Sequence, residues 1–469
     1  MCGFVGLIGV ETASAAAAMA LQALQHRGQD ACGIGTVHRG RVHVYKDLGM
    51  VSQVFTAENL KGLPGKAAIA HVRYPTVGAG VRDDTQPFHT RRPGVLMAHN
   101  GNVTNVPQLE AWLQRRGIRV QSQCDVEPIM LVFAEGLRGN QVEHVKDAVR
   151  DVFEQVKGAY TCAALVEIDG QDTLIAFRDP YGVRPGVYGQ DANGAWCVAS
   201  ESVALDALGF DMVGEIPAGS VMILRPGQPA RIESLRPAEP RRCMFERIYF
   251  ARPDSRMVDG RVFQVRWELG ARLGEEWRKR GLEADVVVPV PDTSRPAAQA
   301  MAETLGLPFR EGFIKNRYSG RTFIMPDASA RQSALRLKLN PIPEIMEGRR
   351  VILVDDSVVR GTTVRRLAEL VRSVKPKEVH LAIFSPPVMN PCFYGIDMPS
   401  KEELVAARVP ERDWARTFGV DSVTFLSVEG LRASAGSQAC MACFDGHYPI
   451  PVSPEEAAAI VADRRGGGA

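Results

Sequence analysis

One thirteen-residue run, VILVDDSVVRGTT at 351–363, constrains the fold more tightly than any other stretch of the chain. VILV is unbroken and apolar, the pattern of a strand buried on both faces in a parallel sheet with helices on either side. Asp355 and Asp356 follow at its carboxyl end, where open α/β sheets place their ligands. The chain then turns into TTVRRLAELVRSV, a helical pattern with Val364, Leu367, Leu370, Val371 and Val374 on one face. Backbone N–H groups of that turn, with Thr362, Thr363 and the helix N-terminus, make a cradle for a phosphate. Gly361 lets the backbone approach closely. Two adjacent acids above such a cradle suit the hydroxyls of a ribose with Mg²⁺ close by. A pair of helix-capping aspartates would explain the acids but not the whole run. It lacks the GK[S/T] ending of a triphosphate-binding loop, and no GxGxxG fingerprint occurs.

The rest of the second half keeps this rhythm: ADVVVPVP and VHLAIF are further apolar runs separated by helical segments, which predicts a parallel sheet. The first half differs. CGFVGLIG, RVHVYKDL, AAIAHVRY, GVLMAHN, YTCAALVEI, TLIAFRD and WCVAS read as strands, against helices at 14–25, 107–116 and 126–137. Strands in such excess, without regular alternation, predict stacked sheets with helices outside. At 469 residues two cores are expected. The Pro- and Arg-rich stretch LRPGQPARIESLRPAEPRR marks the junction, dividing the chain into domains 2–230 and 231–469.

Fifty-six basic residues against 54 acidic ones leave a formal charge of +2, which gives no electrostatic case for nucleic acid or an anionic membrane. No apolar stretch has membrane-spanning length, and SAAAAMALQALQ has no basic residue before it, so no signal peptide is expected. A cytoplasmic protein follows. Its nine cysteines should stay reduced, so those that cluster read as catalytic or metal-binding.

Cys2 stands directly behind the initiator methionine in MCGFVGLIG. It could be one more small hydrophobe in a strand. Methionine removal alone would instead give it both a thiol and a free α-amine, a nucleophile carrying its own base. An α-amine titrates at about 7.7–8.0, so part of it is free base near neutrality.

VILVDDSVVRGTT resembles the motif by which type I phosphoribosyltransferases bind 5-phosphoribosyl 1-pyrophosphate (PRPP). PVPDTSR resembles that family's pyrophosphate loop, and KNRYSGRTFI its flexible catalytic loop. In the first half CGFVG, LQHRGQD, HVRYPT, AHNGN and CDVE resemble the N-terminal-nucleophile glutamine amidotransferases. Together, from Cys2 to about Pro451, the halves resemble the amidophosphoribosyltransferase family. That resemblance implies an αββα glutaminase domain followed by a type I phosphoribosyltransferase domain. Cys2 would be the nucleophile, with Asn100 and Gly101 as oxyanion hole and Arg27, Gly28, Arg73, Thr76 and Asp125 holding glutamine. The Arg73 fork suits the α-carboxylate, and Asp125 the α-ammonium. Here the chain reads CDVEP where relatives often read SDSE, which brings Pro128 close to Asp125. PRPP would be held by Lys315, Arg317, Arg321, Asp355, Asp356, Ser357, Val358, Val359, Arg360, Gly361, Thr362 and Thr363. One Mg²⁺ per subunit would sit at Ser294, Asp355 and Asp356.

Cys440 and Cys443 form a CxxC, and Cys243 and Cys392 stand apart. By residue type they fit a tetrahedral zinc site, an iron–sulfur cluster, or four unrelated thiols. The contexts PCFYGID and CMACF are similar to those of the iron–sulfur branch of the family, which implies one 4Fe–4S cluster per subunit on these four. The resemblance further implies a homotetramer that makes phosphoribosylamine, the first committed step of purine (IMP) synthesis, under feedback by purine nucleotides. A glucosamine-phosphate synthase would need a sugar-isomerase half instead of VILVDDSVVRGTT. A regulator without catalysis would have little reason to keep Cys2, Arg73, Asn100 and Asp125 together.

Overall fold

Side-chain alternation along the first strand sets the architecture of the N-terminal half. The computed structural model describes residues 2–74, 81–316 and 339–466; Thr76, Arg317 and Arg321 lie outside them. In β1 (Gly3–Ile8), Val5 and Leu7 pack under the helix Ala13–Ala23, while Phe4 and Ile8 point the other way. Further strands follow as β2 (Ala31–His38), β3 (Arg41–Leu48), β4 (Ala67–Arg73), β5 (Phe88–Arg91), β6 (Gly94–Val103) and β7 (Gly158–Ile168). Then come β8 (Gln171–Arg178), β9 (Val187–Gln190), β10 (Trp196–Ala199), β11 (Asp211–Glu215), β12 (Ser220–Leu224) and β13 (Arg231–Ser234). They form two antiparallel sheets, ordered β11-β9-β10-β1-β4-β2-β3 and β13-β12-β8-β7-β6-β5.

Phe4 and Ile8 of the first sheet share a core with Leu96, Ala98, Leu165 and Leu174 of the second, so the sheets pack face to face. A Cβ at Gly6 would lie 2.9 Å from Leu174, which is why the alternating strand carries a glycine on this face. The helices Val126–Gly136 and Val142–Gln155 cover the outside of the six-stranded sheet. This is the expected αββα arrangement. The three expected helices occur at Ala13–Ala23, Val106–Gln114 and Val126–Gly136. Val142–Gln155 was not expected, although Val145, Val149, Val152 and Phe153 lie along one buried face. β13 pairs with β12, so the six-stranded sheet runs to Ser234, beyond the sequence boundary at 230.

The second half builds a parallel sheet from Val286–Pro289, Arg350–Asp355, Glu378–Ile383 and Ser422–Phe425, in that order. Alternate residues face opposite cores. Ile352 and Val354 meet the helices Val262–Lys279 and Arg295–Leu305, while Val351 and Leu353 meet Thr362–Arg372. Burial on both faces explains the unbroken apolar runs. The four-residue strand Ser422–Phe425 and the helix Val262–Lys279 were not read from the sequence. Among the described residues no helix is long and apolar enough to cross a membrane.

Candidate active sites

The N-terminal centre forms where β1, β4 and β6 end or turn. Cys2 Sγ lies 3.8 Å from the Tyr74 carbonyl, just past the end of β4. Arg27 is fully buried behind it and donates from Nε to the Cys2 carbonyl at 2.9 Å. Its other nitrogens meet the carboxylates of Glu201 and, at 2.7 Å, Glu246. The structure therefore places Arg27 as the holder of the Cys2 backbone, with its donors engaged by protein groups. Gly28 has a different reason to be glycine: a Cβ there would lie 2.5–2.7 Å from the C, O and N atoms of Arg73.

Arg73 is 4% exposed, with Nη2 3.7 Å from Asp84 Oδ2. Asn100 is 1% exposed, and its Nδ2 has no hydrogen-bond partner among the described residues. A buried amide donor left unpaired is costly unless something else uses it. Gly101 crosses β7 so closely that a Cβ would stand 2.3 Å from the Ala159 carbonyl.

Asp125 stands immediately before the helix Val126–Gly136, and its side chain makes no capping bond to it. Its Oδ2 accepts the Val103 N–H at 3.0 Å and lies 3.4 Å from His99 Nε2. Burial alone would raise its pKa, but His99, the Val103 N–H and Arg73 outweigh that and hold the carboxyl below its ordinary value. Pro128 sits in the first helical turn, where its missing N–H removes no helical bond, so CDVEP leaves Asp125 in place.

The C-terminal centre lies beyond the carboxyl edge of the parallel sheet. Asp356 accepts from Thr293 Oγ1 at 2.5 Å and Ser357 Oγ at 2.6 Å, and the Asp356 N–H donates to Asp355 Oδ1 at 2.9 Å. Burial raises both carboxyls above their ordinary range, and Asp356 raises Asp355 further. A cation or sugar hydroxyls beside them would offset that penalty. Gly361 has φ +77° at the mouth of the helix Thr362–Arg372, a conformation that favours glycine. Thr362 and Thr363 are exposed, while Val358 is buried and turns its side chain into the core, leaving its backbone for the cradle. The Val359 carbonyl accepts the Val405 N–H at 3.0 Å, and Arg360 pairs with Glu403 at 3.1 Å. Lys315 Nζ reaches Asp292 of PVPDTSR at 2.6 Å, joining the two loops. The Ser294 hydroxyl is buried and donates to the Val290 carbonyl.

Three segments bring the four cysteines into one buried core. Cys243 pairs with Cys440 across a short parallel ladder, and the Cys443 carbonyl accepts the Met389 and Asn390 N–H groups. The Tyr394 N–H donates to Cys392 Sγ at 3.4 Å. Burial pushes the Cys243 thiol up to about 11, and it raises Cys440 and Cys443 too, with neighbouring thiols adding to the shift. Among the described residues no three or more His, Cys, Asp or Glu side chains form a group that could hold a single metal ion.

The cysteine region also touches the first centre. Asn102 Nδ2 donates to the Phe393 carbonyl at 2.9 Å, and the Tyr74 hydroxyl to Asp397 at 3.2 Å. Sequence reasoning missed Glu201 and Glu246, and gave no role to His99 within AHNGN or to Asp397 within PCFYGID.

A glutamine amidotransferase domain family matches residues 71–207 and a phosphoribosyl transferase domain family residues 269–390. The amidophosphoribosyltransferase of Archaeoglobus fulgidus is 40% identical over 466 residues, covering 97% of this chain and 99% of that protein. A solved structure of glutamine PRPP amidotransferase from B. subtilis, complexed with ADP and GMP, is 36% identical. It superposes with a TM-score of 0.87 over 97% of this chain and 98% of that one. Another, described as the allosteric regulatory enzyme of purine biosynthesis, gives 0.88 at 36% identity, covering 97% of each chain.

Proposed function

The chain belongs to the amidophosphoribosyltransferase family, and from that premise we propose how its residues divide a glutamine-dependent transfer of ammonia to PRPP in purine biosynthesis. Cys2, its thiol proton taken by its own α-amine, attacks the glutamine amide. The Asn100 Nδ2 and Gly101 N–H stabilise the oxyanion, a role in which one lost donor costs about 100- to 1000-fold. Arg73 forks onto the α-carboxylate and Asp125 takes the α-ammonium. The intermediate collapses as the protonated α-amine returns its proton to the leaving nitrogen, which expels ammonia and leaves a thioester; water then hydrolyses the thioester to glutamate and the free Cys2 thiol. Ammonia then displaces pyrophosphate from C1 of PRPP, giving phosphoribosylamine.

In the second half Asp355 and Asp356 accept the ribose hydroxyls, the 357–363 loop holds the 5-phosphate, and Lys315 meets the pyrophosphate. The acids and their raised pKa values fit Mg²⁺, which when bound supplies charge neutralisation for the leaving pyrophosphate. Ser294, whose hydroxyl gives its proton to the Val290 carbonyl, would keep its lone pairs for such an ion. We also assign Cys243, Cys392, Cys440 and Cys443 to a 4Fe–4S cluster with a structural role. Four buried thiols in one core support a thiolate-bound centre, and the contexts PCFYGID and CMACF favour an iron–sulfur one over zinc. A cytoplasmic homotetramer inhibited by purine nucleotides completes the reading; the relative's complex with ADP and GMP supports the last part.

The observation that carries the assignment of the glutaminase chemistry is the unpartnered, buried Asn100 donor on the strand that also supplies Gly101. The test follows glutamate and pyrophosphate together. Purified chain given glutamine, PRPP and Mg²⁺ should release them one to one. Glutamate release indifferent to Asn100→Ala would refute the assignment.

A further inference from the structure

Behind Cys2 lies a quartet of buried charges, Arg27, Arg184, Glu201 and Glu246, each no more than 2% exposed; Glu201 also meets His26 at 2.7 Å and accepts from the Arg252 N–H and the Ser255 hydroxyl. Arg27 holds the Cys2 carbonyl with Nε, Glu201 with one terminal nitrogen and Glu246 Oε1 with the other. The same Glu246 oxygen accepts from Arg184, whose Nη1 lies 3.5 Å from the Tyr394 carbonyl. Arg27, Arg184 and Glu201 belong to the glutaminase half. Glu246 comes from the other half, three residues after Cys243, in the helical turn Glu246–Phe250.

Buried ion pairs contribute little net stability, because desolvation consumes most of the Coulomb gain; what they do fix is geometry. Geometry matters most at Cys2. Once methionine is removed no peptide precedes it, so its thiol and α-amine hang from a Cα anchored only through its carbonyl side. Arg27 is the side chain that grips that carbonyl.

We propose that Glu246 is a positioning residue for the glutaminase reaction: by holding Arg27 from the second half, it sets the orientation of the Cys2 thiol and amine. The proposal rests on the reading of Cys2 as nucleophile. It also makes the glutaminase depend on the segment that carries Cys243. A displacement of about 1 Å at a reacting group costs on the order of 100-fold in rate.

The experiment uses the full chain carrying Glu246→Gln, the double variant Arg184→Gln/Glu246→Gln, and Cys2→Ala. Glu246→Gln leaves two arginines against one carboxylate, and the double variant restores a balance of one against one. Glutamine-dependent kcat and KM, ammonia-dependent synthesis, thermal midpoint and the rate of Cys2 alkylation by a diazoketone analogue of glutamine are measured for each. Glu246→Gln should lower glutamine-dependent kcat and the alkylation rate by about 10- to 100-fold. Glutamine KM should stay within about twofold and ammonia-dependent synthesis should persist. The double variant should recover thermal stability without recovering kcat. Recovery of kcat in the double variant would reduce Glu246 to charge balance and overturn the proposal. Normal kcat in Glu246→Gln, or parallel loss of both activities, would overturn it too. Glutaminase surviving in Cys2→Ala would instead refute the nucleophile assignment itself.

Discussion

Replacing Gly28 with alanine should damage glutamine binding by displacing the backbone of Arg73. A Cβ at residue 28 would stand 2.5, 2.6 and 2.7 Å from the C, O and N atoms of Arg73, against ordinary contacts of 3.4–4 Å. All three are backbone atoms, so no side-chain rotation relieves the clash. The end of β4 must retreat by about 0.9 Å to bring the nearest contact to 3.4 Å. Overpacking of this kind costs about 1–3 kcal/mol of stability. The functional loss is separate: one leg of a charge-assisted fork is worth about 1.5–3 kcal/mol, so glutamine KM should rise by roughly 10- to 150-fold. The assay is a glutamine titration at saturating PRPP, with ammonia-dependent synthesis and thermal unfolding alongside. KM should rise, ammonia-dependent synthesis should persist, and the midpoint should fall. An unchanged KM in a variant whose midpoint does fall would refute the claim that the Arg73 backbone transmits the change.

Cys2→Ala should abolish glutamine-dependent synthesis and keep synthesis from a high concentration of ammonium salt; loss of both in folded protein would contradict the division of labour. Asp355→Asn with Asp356→Asn removes two charged acceptors, each worth about 1.5–3 kcal/mol, so PRPP affinity measured by calorimetry should drop steeply while basal glutaminase persists. Anaerobically purified protein should be brown and contain about four irons and four sulfides per chain. Cys440→Ser should lose both colour and thermal stability, whereas colourless, active protein with stoichiometric zinc would overturn the assignment. In the parent protein Asp125 is held below its ordinary pKa, so glutamine KM should stay flat as pH falls from 8 to 5. His99→Gln removes one of the groups opposing burial, so the Asp125 pKa should rise and KM should climb toward pH 5. A flat profile in that variant would remove His99 from the account.

Local pattern determined the parts that depend on neighbours in the chain. VILV had to be a strand buried on both faces, and Asp355 and Asp356 had to emerge at its carboxyl end, because a run of that composition fits few other places. The helix after Gly361 was equally legible from its apolar spacing, and so was the strand that follows Cys2. The strand Ser422–Phe425 was too short to announce itself, and β13 lay in a Pro- and Arg-rich stretch that reads as linker until β12 supplies its partner. Nor could the chain alone show what Arg27 does. LQHRGQD made it a candidate for glutamine, but tertiary folding brings up Glu201 from 174 residues away and Glu246 from 219, and these engage its fork. The Asn102 bond to the Phe393 carbonyl spans 291 residues. Periodicity reports which face of an element is buried; it carries no information about which distant group meets that face. A buried charge takes its role from its partner, and only the packed structure decides which partner that is.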